Sequence, residues 1–476
     1  MACQVPFTLL FASLLAAGEP SFDEFDALVD KHMQEGRYPS LGIGVVGGDK
    51  LLYARAAGVA DRRTGRAAGP ETLYRIGSVT KVFTATLLAI LRDEGRLRLD
   101  DPVAEHLPAG VKLPSDPRGA RAITFRHLAT HTSGLPRLPV NVVRRGEDFY
   151  AGFTREAMLE GLGRTVLETP IGARMKYSNL GYALLGAALE RPGGKPYAEL
   201  LARKLIAPLA MADTGFEKPG KRPERLARGY REEDTEIEAP DWDLGCLAPG
   251  GGLVSSVPDL AKFLSLQLRA GEAGAKVVAG GTLRETQTPQ RLGEDWSQAI
   301  GIGWHIRHNR SEDDIVWHNG RVAGFASYVG IIPDRGVGAI ALTNCEKNVD
   351  AVGIELLALA AKLHGRKPPD DPAASIDPEV SRILDVLKES IKDDPPEKLK
   401  KHFHENFLAE VPVEKLRALL RDIYKAHGAC IGVDIKKIDP PRGAKVVYRF
   451  AGGDTVNGDI QLSFENPARI VGLFFR

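Results

Sequence analysis

The chain has 476 residues, is 43% hydrophobic and sets Lys+Arg 63 against Asp+Glu 62, so it can bury one large core and one smaller one. A formal charge of +1 supplies no basic field to hold a nucleic-acid backbone, and no block of like charge reads as an electrostatic tail. Beyond the N-terminus, no stretch approaches the ~18 uninterrupted apolar residues that a membrane span requires.

Met1-Ala2-Cys3-Gln4 is followed by VPFTLLFASLLAAG, an apolar run that ends in Ala16, Ala17 and Gly18. It reads as an export signal over residues 1–18, which places the protein in the periplasm or outside the cell. No Lys or Arg precedes the run, so a short buried N-terminal segment is the alternative. Residues 19–365 then read as one domain. Glu24 to Gln34 has helical spacing, and LGIGVVGGDKLLYARAAG gives two β-rich runs around a Gly-Gly-Asp turn, a hairpin signature. Helices are expected over Glu147–Arg164, Gly181–Leu205 and Asp259–Arg269, the last behind Pro258. SYVGIIPDRGVGAIALTN is again two β-rich runs, and the helical AVGIELLALAAKLHG follows it. An antiparallel sheet flanked by the terminal helices, with a helical region in the middle, fits this order.

Residues 366–376, rich in proline and charge, read as a linker. Residues 377–476 read as a small α+β accessory domain, with three helices (Glu379–Lys392, Pro396–Leu408, Val413–His427) before four strands (Cys430–Ile438, Ala444–Ala451, Val456–Glu465, Ile470–Phe475). That element order resembles the nuclear-transport-factor-2-like class. HFHEN, His402 to Asn406, reads as a solvated helix face. Of the four cysteines, Cys3 lies in the signal; Cys246, Cys345 and Cys430 are odd in number and lack CxxC spacing, so one disulfide is allowed and none is implied. His127 and His131 could share a helix face, but no third ligand is in view and a packing role is expected for them.

The chemistry is concentrated in three short patterns. In RIGSVTKVFTATLLAIL, Ser78 and Lys81 lie three apart, so their side chains can touch if a helix begins near Gly77. A serine hydroxyl is a weak nucleophile until a base takes its proton, and a lysine is such a base only where burial disfavours its ammonium form. Val82, Phe83, Leu87, Leu88, Ile90 and Leu91 provide that burial, and the helix N-terminus offers N–H groups to an oxyanion. A serine three before a lysine is expected about once by chance in a chain of this size, so the pair means little alone. Tyr177-Ser178-Asn179 in ARMKYSNLGYALLG adds a phenol able to relay the proton and an amide able to hold lysine and substrate. His318-Asn319-Gly320 in VWHNGRVAGFAS adds a glycine on a β-run, against which a substrate can lie closely.

With these residues in this order, the chain resembles the serine β-lactamase superfamily, in the branch of class C β-lactamases, D-alanyl-D-alanine peptidases and esterases. Ser-Val-Thr-Lys matches its S-x-x-K, Tyr-Ser-Asn its Y-x-N, and His-Asn-Gly stands in the place of its K-T-G. HLATHTSGLPR (127–137), PIGARMKYSNLGYALLG (170–186), IAPLAMADTGF (206–216), PGGGLVSSVPDLAKFL (249–264) and GIGWHI (301–306) extend the likeness over about residues 22–365. The resemblance implies an α/β (α+β) fold, with an antiparallel sheet packed by helices, an all-helical subdomain, and the cleft between them. It implies that Ser78 forms an acyl-enzyme, that Lys81 assists its deprotonation, and that Tyr177 acts as base in acylation and deacylation. It further implies that Asn179 holds the hydrogen-bond network and that the backbone amides of Ser78 and Arg321 form the oxyanion hole beside Gly320. No metal or organic cofactor is implied.

One departure bears on substrate. The lysine of K-T-G attracts a substrate carboxylate, whereas His318 is mostly neutral near pH 7 unless a neighbour raises its pKa. Arg321 either restores a positive charge or points to solvent. The expected function is therefore hydrolysis of an ester, peptide or amide substrate. The alternatives are a β-lactamase and a slowly acylating, penicillin-binding-like sensor. The expected partner is a small-molecule or peptide substrate, and the C-terminal domain is open to three roles: shaping the cleft, binding a cell-envelope ligand or forming a dimer.

Overall fold

In a computed structural model, residues 22–365 are described apart from short segments, the longest being 117–120, 143–146, 218–223, 270–275, 294–297 and 308–312; beyond them, four strands are described between residues 430 and 475. The expected signal, linker, three C-terminal helices and HFHEN stretch lie essentially outside the described residues.

The chain opens with α1 (Asp23–Gly36), the hairpin β1 (Ser40–Gly47) and β2 (Lys50–Asp61), and the short β3 (Arg66–Ala67) and β4 (Tyr74–Arg75). The helical region holds α2 (Thr80–Asp93), α3 (Phe125–Ala129), α4 (Arg155–Leu162), α5 (Asn179–Gly193) and α6 (Tyr197–Leu201). Strands β5 (Gly215–Phe216) and β6 (Leu253–Ser255), helices α7 (Val257–Leu268) and α8 (Gly280–Thr286), strands β7 (Arg291–Leu292), β8 (Gln298–Ile300), β9 (His305–Arg307), β10 (Ile315–Val322), β11 (Phe325–Ile332) and β12 (Val337–Thr343), and α9 (Asp350–His364) complete it.

Nine strands form one antiparallel sheet in the order β3-β2-β1-β12-β11-β10-β9-β8-β7, so the first hairpin pairs with nearly the last strand. The pleat sorts side chains to two cores. Leu41, Ile43 and Val45 of β1 and Ala339 and Ala341 of β12 pack with Phe25 of α1 and Leu356 of α9, whereas Ile340 and Leu342 face α2 and α7 on the other side. The alternating glycines of LGIGVVG fall on that second face: a Cβ at Gly44 would lie 2.7 Å from Val257 Cγ1, so their absence lets α7 sit against the strand.

Helix α2 runs through this core with residues 80–91 all buried, as a helix that is apolar nearly all round must. Phe83 stacks on Phe263 of α7 with centroids 3.9 Å apart. Phe83→Ala should therefore lower stability by about 3–5 kcal/mol, read as a drop in the denaturant midpoint at unchanged m-value.

Three expected elements differ in extent. The helix expected over 147–164 spans only Arg155–Leu162, because Gly152 turns at φ 69 and Thr154 caps the helix by accepting from the Ala157 amide. The one expected over 181–205 ends at Gly194, whose φ of 72 caps α5 just after Pro192, with α6 and a π turn after the break. Gly77–Val79 forms a 3₁₀ turn ahead of α2, so Ser78 stands just before the helix. In the C-terminal part, Cys430–Asp439, Gly443–Phe450, Thr455–Leu462 and Ile470–Phe475 form a four-stranded antiparallel meander close to the expected strand bounds.

Candidate active site

Gly77, at φ 49, turns the chain so that Ser78 is half-buried and faces Lys81, the first-turn lysine of α2. Lys81 is fully buried, and its Nζ lies 2.9 Å from Ser78 Oγ and 2.5 Å from the carbonyl of Gly250. The Tyr177 hydroxyl donates to Ser78 Oγ at 2.7 Å. Burial, and then the charge of Arg137, push Lys81 well below its ordinary value. A neutral Nζ has two protons and one lone pair. One proton satisfies the Gly250 carbonyl, which can only accept, and the lone pair is left for the Ser78 proton. Burial pushes the Tyr177 phenol up to about 12, although its bond to Ser78 and the Arg137 charge pull the other way. The phenol therefore keeps its proton at neutral pH and acts as a donor in the resting site.

Tyr177 is fixed by the loop at 131–137. The Ser178 amide donates to His131 Nδ1 at 3.1 Å, the Lys176 amide to the His131 carbonyl at 2.7 Å, and the His131 ring lies 4.4 Å from that of Tyr177. His131 holds φ 57, a left-handed conformation uncommon for histidine, and its neighbours over-determine it here. The Ser178 hydroxyl donates to the Pro136 carbonyl and accepts from the Gly181 amide, capping α5. Asn179 begins α5, and its Oδ1 is buried without a partner among the described residues.

Strand β10 closes the site. By the period of two, His318 and Gly320 share one face of the sheet with Val316, whereas Asn319 and Arg321 point to the other. A Cβ on Gly320 would lie 2.0 Å from the Ile76 carbonyl, and one on Gly77 would lie 2.8 Å from the Arg321 amide. These two glycines thus press the Arg321 backbone against the turn that carries Ser78. The Arg321 side chain goes elsewhere, to Glu232 and Glu346, so it restores no cation to the catalytic face. His318 is 1% exposed, and its Nδ1 lies 2.6 Å from the Asn319 carbonyl. A carbonyl only accepts, so Nδ1 carries the proton and Nε2, buried and unpartnered among the described residues, presents a lone pair. Burial, His305 and Lys81 hold His318 well below its ordinary pKa; burial and then Lys81 push His305 down to about 4. The place of the family's lysine is therefore neutral and turned into an acceptor.

The structure thus brings Ser78, Lys81, Tyr177, His318 and Gly320 together and places Asn179 beside them, and it removes only the Arg321 side chain. Reasoning from sequence missed His131, His305, the Gly250 carbonyl and Arg137. HLATHTSGLPR carries two of these, but a loop histidine that accepts from a distant amide leaves no periodic trace. His127, in contrast, serves a capping box with Thr124. Cys246 and Cys345 are free thiols. Among the described residues, no group of three or more His, Cys, Asp or Glu could hold a metal ion, and no helix is long and apolar enough to cross a membrane.

The beta-lactamase family model matches residues 25–362. The chain is 27% identical over 400 residues to the D-alanyl-D-alanine-carboxypeptidase/endopeptidase AmpH of Escherichia coli K12, covering 77% of this chain and 99% of that one. It is 26% identical over 328 residues to Protein flp of Staphylococcus aureus, covering 68% of this chain and 63% of that protein. Among solved structures, the octameric penicillin-binding protein homologue from Pyrococcus abyssi superposes with a TM-score of 0.63 at 24% identity, over 96% of this chain and 99% of that one. A beta-lactamase/D-alanine carboxypeptidase from Yersinia pestis gives 0.61 at 24% identity, over 71% and 97%. Both structures share the fold. With a family match that takes in every one of the motif residues and a fold to go with it, the chain belongs to the beta-lactamase family of serine hydrolases.

Proposed function

We propose that the protein hydrolyses an ester, peptide or amide substrate through an acyl-enzyme on Ser78. The observation that carries this reading is Ser78 Oγ held between a fully buried Lys81 and the Tyr177 phenol, at 2.9 and 2.7 Å. Ser78 Oγ attacks the carbonyl carbon while its proton passes to Lys81 Nζ. The oxyanion accepts from the backbone amides of Ser78 and Arg321, which the two glycines bring together. As the bond to the leaving group breaks, the Lys81 proton reaches that group through the Tyr177 hydroxyl, and water then attacks the acyl carbon by the reverse relay. Asn179 Oδ1, an acceptor without a partner among the described residues, suits a substrate N–H. The neutral His318 favours such substrates over a lactam whose carboxylate needs a cation on the sheet wall.

A fluorophosphonate probe should label the wild-type protein once and leave Ser78→Ala unlabelled. Labelling that survives Ser78→Ala overturns the assignment of the nucleophile. Export is part of this reading and rests on the apolar run at 5–18. The meander at 430–475 lies outside the family match and is proposed as part of a separate accessory domain.

A further inference from the structure

We propose that Arg137 is a specificity residue that binds a free carboxylate of the substrate from the 131–137 loop beside Tyr177. The proposal rests on the serine-hydrolase reading above.

Three observations support it. First, the position of Arg137 is built: its carbonyl accepts from the amides of Asn179 at 3.0 Å and Leu180 at 3.2 Å, and its neighbour Pro136 accepts from the Ser178 hydroxyl at 2.7 Å. The residue is thereby clamped to the segment that carries Tyr177. Second, its side chain is exposed, and the guanidinium carbon lies 5.6 Å from the Tyr177 ring centroid. The cation thus stands over the ring whose hydroxyl touches Ser78. At that position its charge disfavours the ammonium form of Lys81 and favours the phenolate of Tyr177. Third, the carboxylate that shares Tyr150 as a neighbour with Arg137, that of Asp148, is held by other donors: it accepts from the backbone amides of Tyr150 and Asp243 at 2.9 Å each.

Around Ser78 the other basic side chains, Lys81, His131, His305 and His318, are all pushed toward their uncharged forms by burial. Arg137 offers a planar guanidinium fork that matches a carboxylate. An extended residue spans about 3.5 Å, so the carboxylate it reads lies within about two residues of the scissile bond.

The test compares two esters of equal acyl length, mono-p-nitrophenyl adipate and p-nitrophenyl hexanoate, on wild type, Arg137→Gln, Arg137→Lys and Ser78→Ala. The adipate-to-hexanoate ratio of kcat/KM should favour the acid in wild type and fall by about tenfold or more in Arg137→Gln, chiefly through KM, as expected for loss of a charge-assisted hydrogen bond. Arg137→Lys should recover part of the ratio, and raising the salt should shrink it in wild type and Arg137→Lys but not in Arg137→Gln. Because the ratio is taken within one variant, a folding defect or a shift of the Lys81 pKa cancels from it. A ratio unchanged in Arg137→Gln, or absent in wild type, overturns the proposal. Hexanoate turnover that disappears in Ser78→Ala preserves the hydrolase reading whatever the ratio. If neither ester is turned over, both readings fall.

Discussion

Lys81→Met should lower kcat by about 10²–10⁴-fold on any ester or amide that acylates Ser78, the usual contribution of a positioned general base. Methionine nearly fills the volume of the lysine stem but carries no proton acceptor, so what is lost is chemistry rather than packing. The pH behaviour checks the cause. The folded-state pKa of Lys81 lies well below its ordinary 10.5 because the side chain is buried, so wild-type activity should rise with pH through that lowered value and fall as acid reprotonates Nζ. That acid limb should be missing from the residual activity of Lys81→Met. The same shift acts on stability. Between the lowered pKa and 10.5 the unfolded chain binds a proton that the native state refuses, so stability rises with pH across that window. Lys81→Met should flatten this slope and keep its melting temperature at neutral pH, even though the Gly250 carbonyl loses its donor. An inactive variant that also melts early would assign Lys81 a structural role instead.

The motif residues are legible in the sequence because each belongs to a local pattern: the apolar run behind Ser78, the cap-and-helix text around Asn179, and the alternation that puts His318 and Gly320 on one face. Three features escape such patterns, the first and last because they are not local. The pairing of β1 with β12 joins residues about as far apart as the domain allows, and no window of sequence reports it. The collapse of the helix expected at 147–164 depends on Thr154 and Gly152, since turn chemistry overrode a run of helix formers. The neutral state of His318 depends on the burial and the neighbouring His305 and Lys81 that folding supplies. Arg137 shows the same limit from the other side. As text it is one more basic residue after a Gly-Leu-Pro turn, and only the hydrogen bonds from Asn179 and Leu180 give it an address beside Tyr177.

Gly320→Ala tests the other half of the site, the contact between strand and turn. A methyl there would sit 2.0 Å from the Ile76 carbonyl and 2.5 Å from Ser327 Oγ, and the first of these is backbone, which cannot rotate away. The Ser327 hydroxyl donates to that same carbonyl at 2.7 Å, so the methyl must part β10 from the turn and weaken this bond as well. Overpacking of this kind costs about 1–3 kcal/mol of stability. The larger effect should be on catalysis, because parting the strand from the turn withdraws the Arg321 amide from the oxyanion while leaving the Ser78–Lys81–Tyr177 contacts in place. Loss of one such donor lowers kcat by about 10²–10³-fold. Gly281→Ala in α8 is the control: nothing lies within 4 Å of its added Cβ, and both stability and turnover should hold. If Gly320→Ala, folded by circular dichroism, turns over esters at the wild-type rate, the Arg321 amide is not an oxyanion donor and the close approach of β10 serves packing alone. If kcat falls while the fluorophosphonate still labels Ser78 slowly, the nucleophile and its base remain competent, and the defect lies where the negative charge develops.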